Sequence, residues 1–315
     1  MERKVLIVDQ MHESIFELLE SAGFQPNYKP DISREEILAT IDQYHGIIVR
    51  SKTKIDRELL EAATQLEFVA RAGAGIDNVD YAEVSKREIK LVNAPEGNRD
   101  ALGEHTVGML LSLLHRLRTA DQEVKAGIWN REGNRGIELG GKVVGIYGFG
   151  FMGSAFAEKL KGFGCKVLVY DKYKTNLSDG FVEQVDIESF MDQTEILSLH
   201  IPLTSETKGL FDKDYLSKFK KLSILLNTAR GEILSLEALI TLLKDKKLIG
   251  AGLDVLENEK IQRLSADQQK MFDQLVAFDN VILTPHVAGW THESYERINR
   301  VIMSKLQEQG LAYAK

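Results

Sequence analysis

The sequence predicts an α/β protein built from two doubly wound, parallel-sheet units, and three observations lead there. Short Val/Ile/Leu-rich runs alternate with longer amphipathic segments almost from end to end. Most of these runs are apolar throughout rather than at every second residue, as strands covered on both faces are. The alternation also comes in two series, one in each half of the chain.

In the first series, strands are read at 5–9 (VLIVD), 46–49 (GIIV), 68–70 (FVA) and 90–92 (KLV). Helical patterns lie between them, such as 12–23 (HESIFELLESAG), whose closing Gly23 is a good helix stop. The segment 99–126 is too long and too apolar for a simple linker, and is expected to be one long helix joining the units. The second series reads as strands at 143–148, 166–171, 195–200, 223–227, 249–254 and 281–284. An amphipathic helix from Thr291 to Gln309 follows. It cannot make a domain alone, so it must pack on one of the sheets; a return to the first would make that domain discontinuous.

Composition narrows the function. A chain of 315 residues with 43% apolar residues can bury a sizeable core. Its net charge of −7 leaves no basic face to displace counterions from nucleic acid. The longest apolar stretch, MLLSLL at 109–114, is far too short to span a bilayer. The single Cys165 cannot form an internal disulfide, and the first apolar run begins at Val5 without a charged leader. These features predict a soluble, cytoplasmic protein acting on a small molecule, without nucleic acid, membrane or metal.

The 143–148 strand runs into GFGFMG, giving Gly148, Gly150 and Gly153, with a helical pattern directly after. Three glycines so spaced permit a tight turn, an approach of pyrophosphate to bare backbone, and close packing of helix on strand. The helix start offers free N–H groups and a positive dipole end. The next strand ends in Asp171, near the spacing at which a carboxylate meets a ribose 2′-hydroxyl and repels a 2′-phosphate. That combination predicts NAD as cofactor, although Asp171 alone also reads as a turn residue.

Catalytic groups in such sheets stand at the carboxyl ends of strands. His200, Arg230, Asp254 and His286 all fall there. Hydride transfer from an alcohol needs a base, a cation for the developing oxyanion, and an acid that orients the base. His286, Arg230 and a glutamate of LENEK could supply them, but periodicity does not choose Glu259 over Glu257, and His286 alone also reads as an ordinary loop histidine.

Taken in order, GIYGFGFMG, LHIPLTSETKGLF, LNTARGEIL, AGLDVLENE and NVILTPHVAG resemble the D-isomer-specific 2-hydroxyacid dehydrogenase family, and ELGGKVVGIYGFG and GEHTVGMLLSL fit it too. The resemblance implies a Rossmann NAD-binding domain, here 100–285, inserted into a flavodoxin-like substrate domain of 1–99 and 286–315. It implies His286 as acid/base, Glu259 as its partner and Arg230 as the substrate-binding arginine. On the same basis Phe151 and Met152 offer amides to the pyrophosphate. Ile201 and Pro202 line the adenosine side, Thr228, Ala229 and Asp254 face the nicotinamide, and His200 and Gly289 count among the cofactor-binding residues. A homodimer is implied as well, through the helix near 100–126 and GIWNREGNRG.

The first half bears on the substrate. Arg50 and Ser51 follow one apolar run, and Arg71 follows another, leading into the loop Gly73, Ala74, Gly75. Loop amides suit a carboxylate, and two arginines suit a second anionic group such as phosphate. RAGAGIDNVD, NAPEGN and GIWNREGNRGIELGGK resemble most closely the family members that oxidise 3-phosphoglycerate at the start of serine synthesis. The chain ends soon after its tail helix, so a short form without those members' C-terminal regulatory domain is expected. Lys260 stands where proline usually follows the glutamate, and Trp290 where a small residue is common, which opens the substrate to question. Glyoxylate or hydroxypyruvate reduction, or an NAD-sensing corepressor-like binding role, are the alternatives.

Overall fold

The computed structural model describes residues 3–312; the remaining five, which belong to the extents expected for the substrate domain, lie outside the described residues. The chain forms two compact units, one taking the chain up to Asn98 and from Trp290 on, the other Arg99–Gly289. No helix among the described residues is long and apolar enough to cross a membrane.

The first unit contains β1 (Arg3–Ile7), β2 (Phe24–Tyr28), β3 (Gly46–Val49), β4 (Phe68–Arg71) and β5 (Lys90–Asn93). They pair in parallel in the order β2-β1-β3-β4-β5, the flavodoxin-like order. Successive residues of a strand point to opposite faces, so Val5 and Ile7 enter one core cluster, and Leu6 enters another on the far side. That is why the run had to be apolar throughout. β2 was not among the predicted strands: FQPNY is polar and carries Pro26, which is tolerated because the strand is at the sheet edge.

The tail helix His292–Glu308 opens with a capping box at Thr291 and packs on this first sheet. Ile298, Ile302, Met303 and Leu306 join Val5, Ile7, Ile15 and Phe68 in one cluster. Each such side chain, fully buried, is worth about 1.5–3 kcal/mol. At Gly97 an added Cβ would lie 2.8 Å from the Ile298 Cα, so glycine there lets the helix come close.

The second unit contains β6 (Val143–Tyr147), β7 (Lys166–Tyr170), β8 (Val182–Gln184), β9 (Ile196–Leu199), β10 (Ile224–Asn227), β11 (Gly250–Leu253) and β12 (Val281–Leu283). All are parallel, in the order β12-β11-β10-β9-β6-β7-β8. The order reverses direction beside β6, and the crevice at such a switch point is where doubly wound sheets bind ligands. β8 was also missed, being an edge strand only three residues long.

The segment expected as one long helix is two. Pro95–Leu114 begins on a proline, a favoured first helical residue, and Leu117–Lys125 follows after a break at Arg116, which has φ +50°. At the break the Leu114 carbonyl accepts from the Ile137 N–H at 2.9 Å. A tertiary bond has taken the acceptor that a continuing helix would have used, and nothing in the local sequence announces it.

Candidate active site

Because the second sheet is parallel, its strands deliver their following residues to one edge. Along it come His286 after β12, Asp254 after β11, Arg230 after β10, His200 after β9, the glycine turn after β6 and Asp171 after β7.

Each glycine of the turn has a different surrounding. Gly148 has φ +94°, and a Cβ on it would meet the His200 carbonyl oxygen at 2.7 Å. At Gly153 a Cβ would lie 2.1 Å from the Gly148 carbonyl oxygen, so the helix Phe151–Lys159 can leave the strand there only without a side chain. Gly150, which caps that helix, has no heavy atom within 4 Å of its would-be Cβ. Bare backbone facing open space at a helix start is what a pyrophosphate requires, so the residues fit a dinucleotide. Phe151 is exposed and Met152 half-buried in the first turn of the same helix.

The Asp171 carboxylate accepts from the main-chain N–H groups of Phe149 at 2.8 Å and of Tyr173 and Lys174 at 3.0 Å. It thus ties its own turn to the glycine turn. Oδ2 carries one of these bonds, and a carboxylate oxygen has capacity for a second, so a ribose hydroxyl fits beside them. His200 directly follows β9. Its ring is buried, lies 5.5 Å from the Phe156 ring and meets the Ser198 hydroxyl through Nε2 at 2.8 Å; burial pushes its pKa down to about 3. The imidazole is therefore neutral and packed against Phe156. Ile201 is half-buried and Pro202 exposed beyond it.

His286 and Glu259, both about half-exposed, are brought together: Nδ1 lies 2.9 Å from Oε1 and 3.1 Å from Oε2. Glu257 instead accepts from the main-chain N–H of Leu236 at 2.7 Å. His286 has φ +56°, a left-handed conformation that costs a non-glycine residue about 1–2 kcal/mol. The buried Asp254 holds it there. The Asp254 carbonyl accepts from the His286 N–H at 2.8 Å, and the carboxylate accepts from Thr284 Oγ1 at 2.5 Å, Val287 N at 2.9 Å and Ala288 N at 2.8 Å. His105 Nε2 meets Thr284 Oγ1 from behind at 3.0 Å.

Arg230 is half-buried, with Nη1 donating to the Ala229 carbonyl at 2.7 Å. Asn227 shapes its turn, donating to the Arg230 carbonyl at 2.9 Å and accepting from Ala229 N at 3.0 Å. The buried Thr228 faces Thr106, hydroxyl to hydroxyl, at 3.4 Å. A Cβ on Gly231 would lie 1.9 Å from the Leu256 carbonyl carbon, so this glycine lets the Arg230 turn press against the segment leading to Glu259. Asn227, Thr284 and Gly231 were not picked from sequence. A small or amide residue at a strand end was the available signal, and it is a common one.

In the first unit, Gly73 has φ +143° and the Arg71 guanidinium lies across it, 1.9 Å from a would-be Cβ. Asn93 and Ala94 hold this loop through the carbonyls of Ala74 and Gly73. Ser51 is exposed and Gly75 half-buried. Arg50 does not lie open: its guanidinium carbon sits 3.7 Å from the Trp290 ring centroid.

Comparison with known proteins places these features among relatives. The profile described as "D-isomer specific 2-hydroxyacid dehydrogenase, NAD binding domain" matches residues 107–288. A D-3-phosphoglycerate dehydrogenase of Archaeoglobus fulgidus is 35% identical over 95% of this chain, and a hydroxypyruvate reductase of Thermotoga maritima is 32% identical over 89% of this chain and 90% of its own length. The chain spans 56% of the length of the Archaeoglobus protein. Among solved structures, D-lactate dehydrogenase from Aquifex aeolicus, complexed with NAD and lactic acid, superposes with a TM-score of 0.84 at 26% identity, covering 98% of this chain and 96% of that one.

Proposed function

The chain belongs to the D-isomer-specific 2-hydroxyacid dehydrogenase family, and from that membership we propose that it oxidises a D-2-hydroxy acid with NAD, foremost 3-phosphoglycerate to 3-phosphohydroxypyruvate. The observation that carries this reading is the contact of His286 Nδ1 with Glu259, 2.9 Å away on the cofactor edge of the sheet. When bound, NAD supplies the hydride acceptor. With Nδ1–H donated to Glu259, His286 Nε2 holds the lone pair and takes the hydroxyl proton as the C2 hydride leaves. Glu259 offsets the charge of the resulting imidazolium, and in reduction His286 returns the proton. Arg230 holds the substrate carboxylate and the oxygen that becomes the carbonyl; its planar fork suits both. In the first unit, the Gly73–Gly75 amides suit an anionic group, and Arg50, Ser51 and Arg71 are assigned to the phosphate.

A reductase of unphosphorylated hydroxypyruvate or glyoxylate is the second reading, favoured by the Thermotoga relative. NAD reduction measured over a panel of D-2-hydroxy acids, with and without a phosphate, separates the two. We expect 3-phosphoglycerate to exceed D-glycerate in kcat/KM by at least about tenfold, the size of one good charged contact. Equal turnover of both acids would hand the assignment to the second reading. We further propose a homodimer, supported by exposed Leu117, Val124, Ile128 and Trp129, the last 84% exposed. A reducing, cytoplasmic setting suits the single, buried Cys165.

A further inference from the structure

Arg50 is held at both ends. Its main-chain N–H donates to Asp9 Oδ2 at 2.7 Å, and its carbonyl accepts from Asn78 Nδ2 at 3.0 Å, an amide that also donates to the Thr53 carbonyl at 2.7 Å. Its guanidinium lies 3.7 Å from the ring centroid of Trp290 and 5.0 Å from that of Tyr295. The two rings stack on each other at 5.5 Å and 29°. The bracket is itself anchored: Asn299, one turn after Tyr295, donates to the His12 carbonyl and to Ser14 Oγ, both at 3.0 Å, and the His12 ring meets Tyr295 edge-on.

This arrangement is costly unless it does something. Trp290 remains 56% exposed, so core packing does not account for it. The guanidinium loses hydration, and its Nη1 is buried without an acceptor. Burial lowers the Arg50 pKa, opposed by Tyr295 and Asp9. In return an aromatic face fixes the plane of a flexible side chain and leaves its partly exposed remainder as a preset donor edge.

Resting on the function proposed above, we propose that Trp290 and Tyr295 are positioning residues for Arg50, orienting its guanidinium for the phosphate of the substrate and thereby setting the preference for a phosphorylated hydroxy acid. Trp290 then does not simply narrow the site; it is the platform on which the specificity arginine lies.

The test compares 3-phosphoglycerate with D-glycerate in the full chain. Arg50→Ala should lower the ratio of kcat/KM for 3-phosphoglycerate to that for D-glycerate about tenfold or more, mainly through a higher KM for the phosphorylated acid. Trp290→Ala should reproduce the same selective loss at about three- to tenfold, the range of a partly desolvated cation–π contact. Trp290→Phe should restore most of it, and the double variant should be no worse than Arg50→Ala alone. Binding gives a readout independent of turnover: in a Trp129→Phe background Trp290 is the sole tryptophan, and 3-phosphoglycerate should change its emission saturably, an effect lost in Arg50→Ala. A Trp290→Ala that shifts both acids alike or neither, while Arg50→Ala stays selective, overturns the positioning claim. An Arg50→Ala that treats both acids as the wild type does overturns the phosphate reading beneath it.

Discussion

Two turns leave the same edge of the NAD-domain sheet and are built on opposite principles. The turn after β6 is made by missing side chains: Gly148 and Gly153 occupy positions where a Cβ would strike main-chain atoms at 2.7 and 2.1 Å. The turn after β12 has no glycine at its bend, and His286 takes φ +56° because Asp254, from the neighbouring strand, binds the chain before and after it. Left-handed backbone costs about 1–2 kcal/mol at a histidine. Hydrogen bonds to a charged acceptor return about 1.5–3 kcal/mol each, and the Asp254 carboxylate accepts three, so the clamp wins. A turn specified by backbone can be recognised from a few consecutive residues. One specified by a side chain thirty positions away cannot.

The sharpest way to separate the clamp from the group it carries is to remove the imidazole alone. His286→Ala keeps the main-chain bonds to Asp254, so turnover should fall by about 10³-fold or more while NADH affinity, followed by fluorescence titration, holds. Retained turnover would sink the assignment of His286 as proton carrier. Asp254→Ala should come next. It strips the acceptor from two main-chain N–H groups and a hydroxyl, costing about 3 kcal/mol, and releases the histidine from its conformation. We expect a lower melting temperature together with a kcat loss of about 10²-fold, short of that for His286→Ala. The family resemblance assigns Asp254 to the nicotinamide. Weakened NADH binding with an unchanged melting temperature would favour that role over the clamp.

The same contrast explains what could be read from the sequence. The interior strands were legible because both faces are buried, as with Val144 and Ile146 on one side and Tyr147 on the other. The edge strands β2 and β8 were not, since one flank carries no partner and the pattern relaxes to FQPNY and VEQ. The break at Arg116 was hidden because its cause, the Ile137 N–H, is twenty-one residues on. At the site, strand ends could be read from sequence, but not what each side chain would meet there. His200 stands at a strand end like the others, yet its ring is buried against Phe156. Glu259 and Glu257 differ only by two positions; periodicity does not separate them, the family resemblance picks Glu259, and the structure gives Glu259 to His286 and Glu257 to a helix start. Arg50 could be marked as a candidate anion ligand, but its aromatic bracket joins positions 240 and more residues apart.

Within the glycine turn the comparison can be pressed to a smaller scale, because two of its glycines differ in what surrounds them. Gly153→Ala drives a methyl to 2.1 Å from the Gly148 carbonyl oxygen, a main-chain atom that moves only if the turn does. Stability and NADH affinity should therefore fall together, by about 1–3 kcal/mol in melting measurements and about tenfold in Kd. Gly150→Ala meets nothing within 4 Å, at φ −87°, a backbone open to any residue. Melting should stay within about 0.5 kcal/mol of wild type. NADH affinity should still drop several-fold, because the new methyl occupies the space beside the helix N–H groups where a pyrophosphate would lie. Joint loss at Gly153 and binding loss alone at Gly150 would assign one glycine to the fold and the other to the ligand. Unchanged affinity in Gly150→Ala would mean that the open space at this helix start is not the phosphate site.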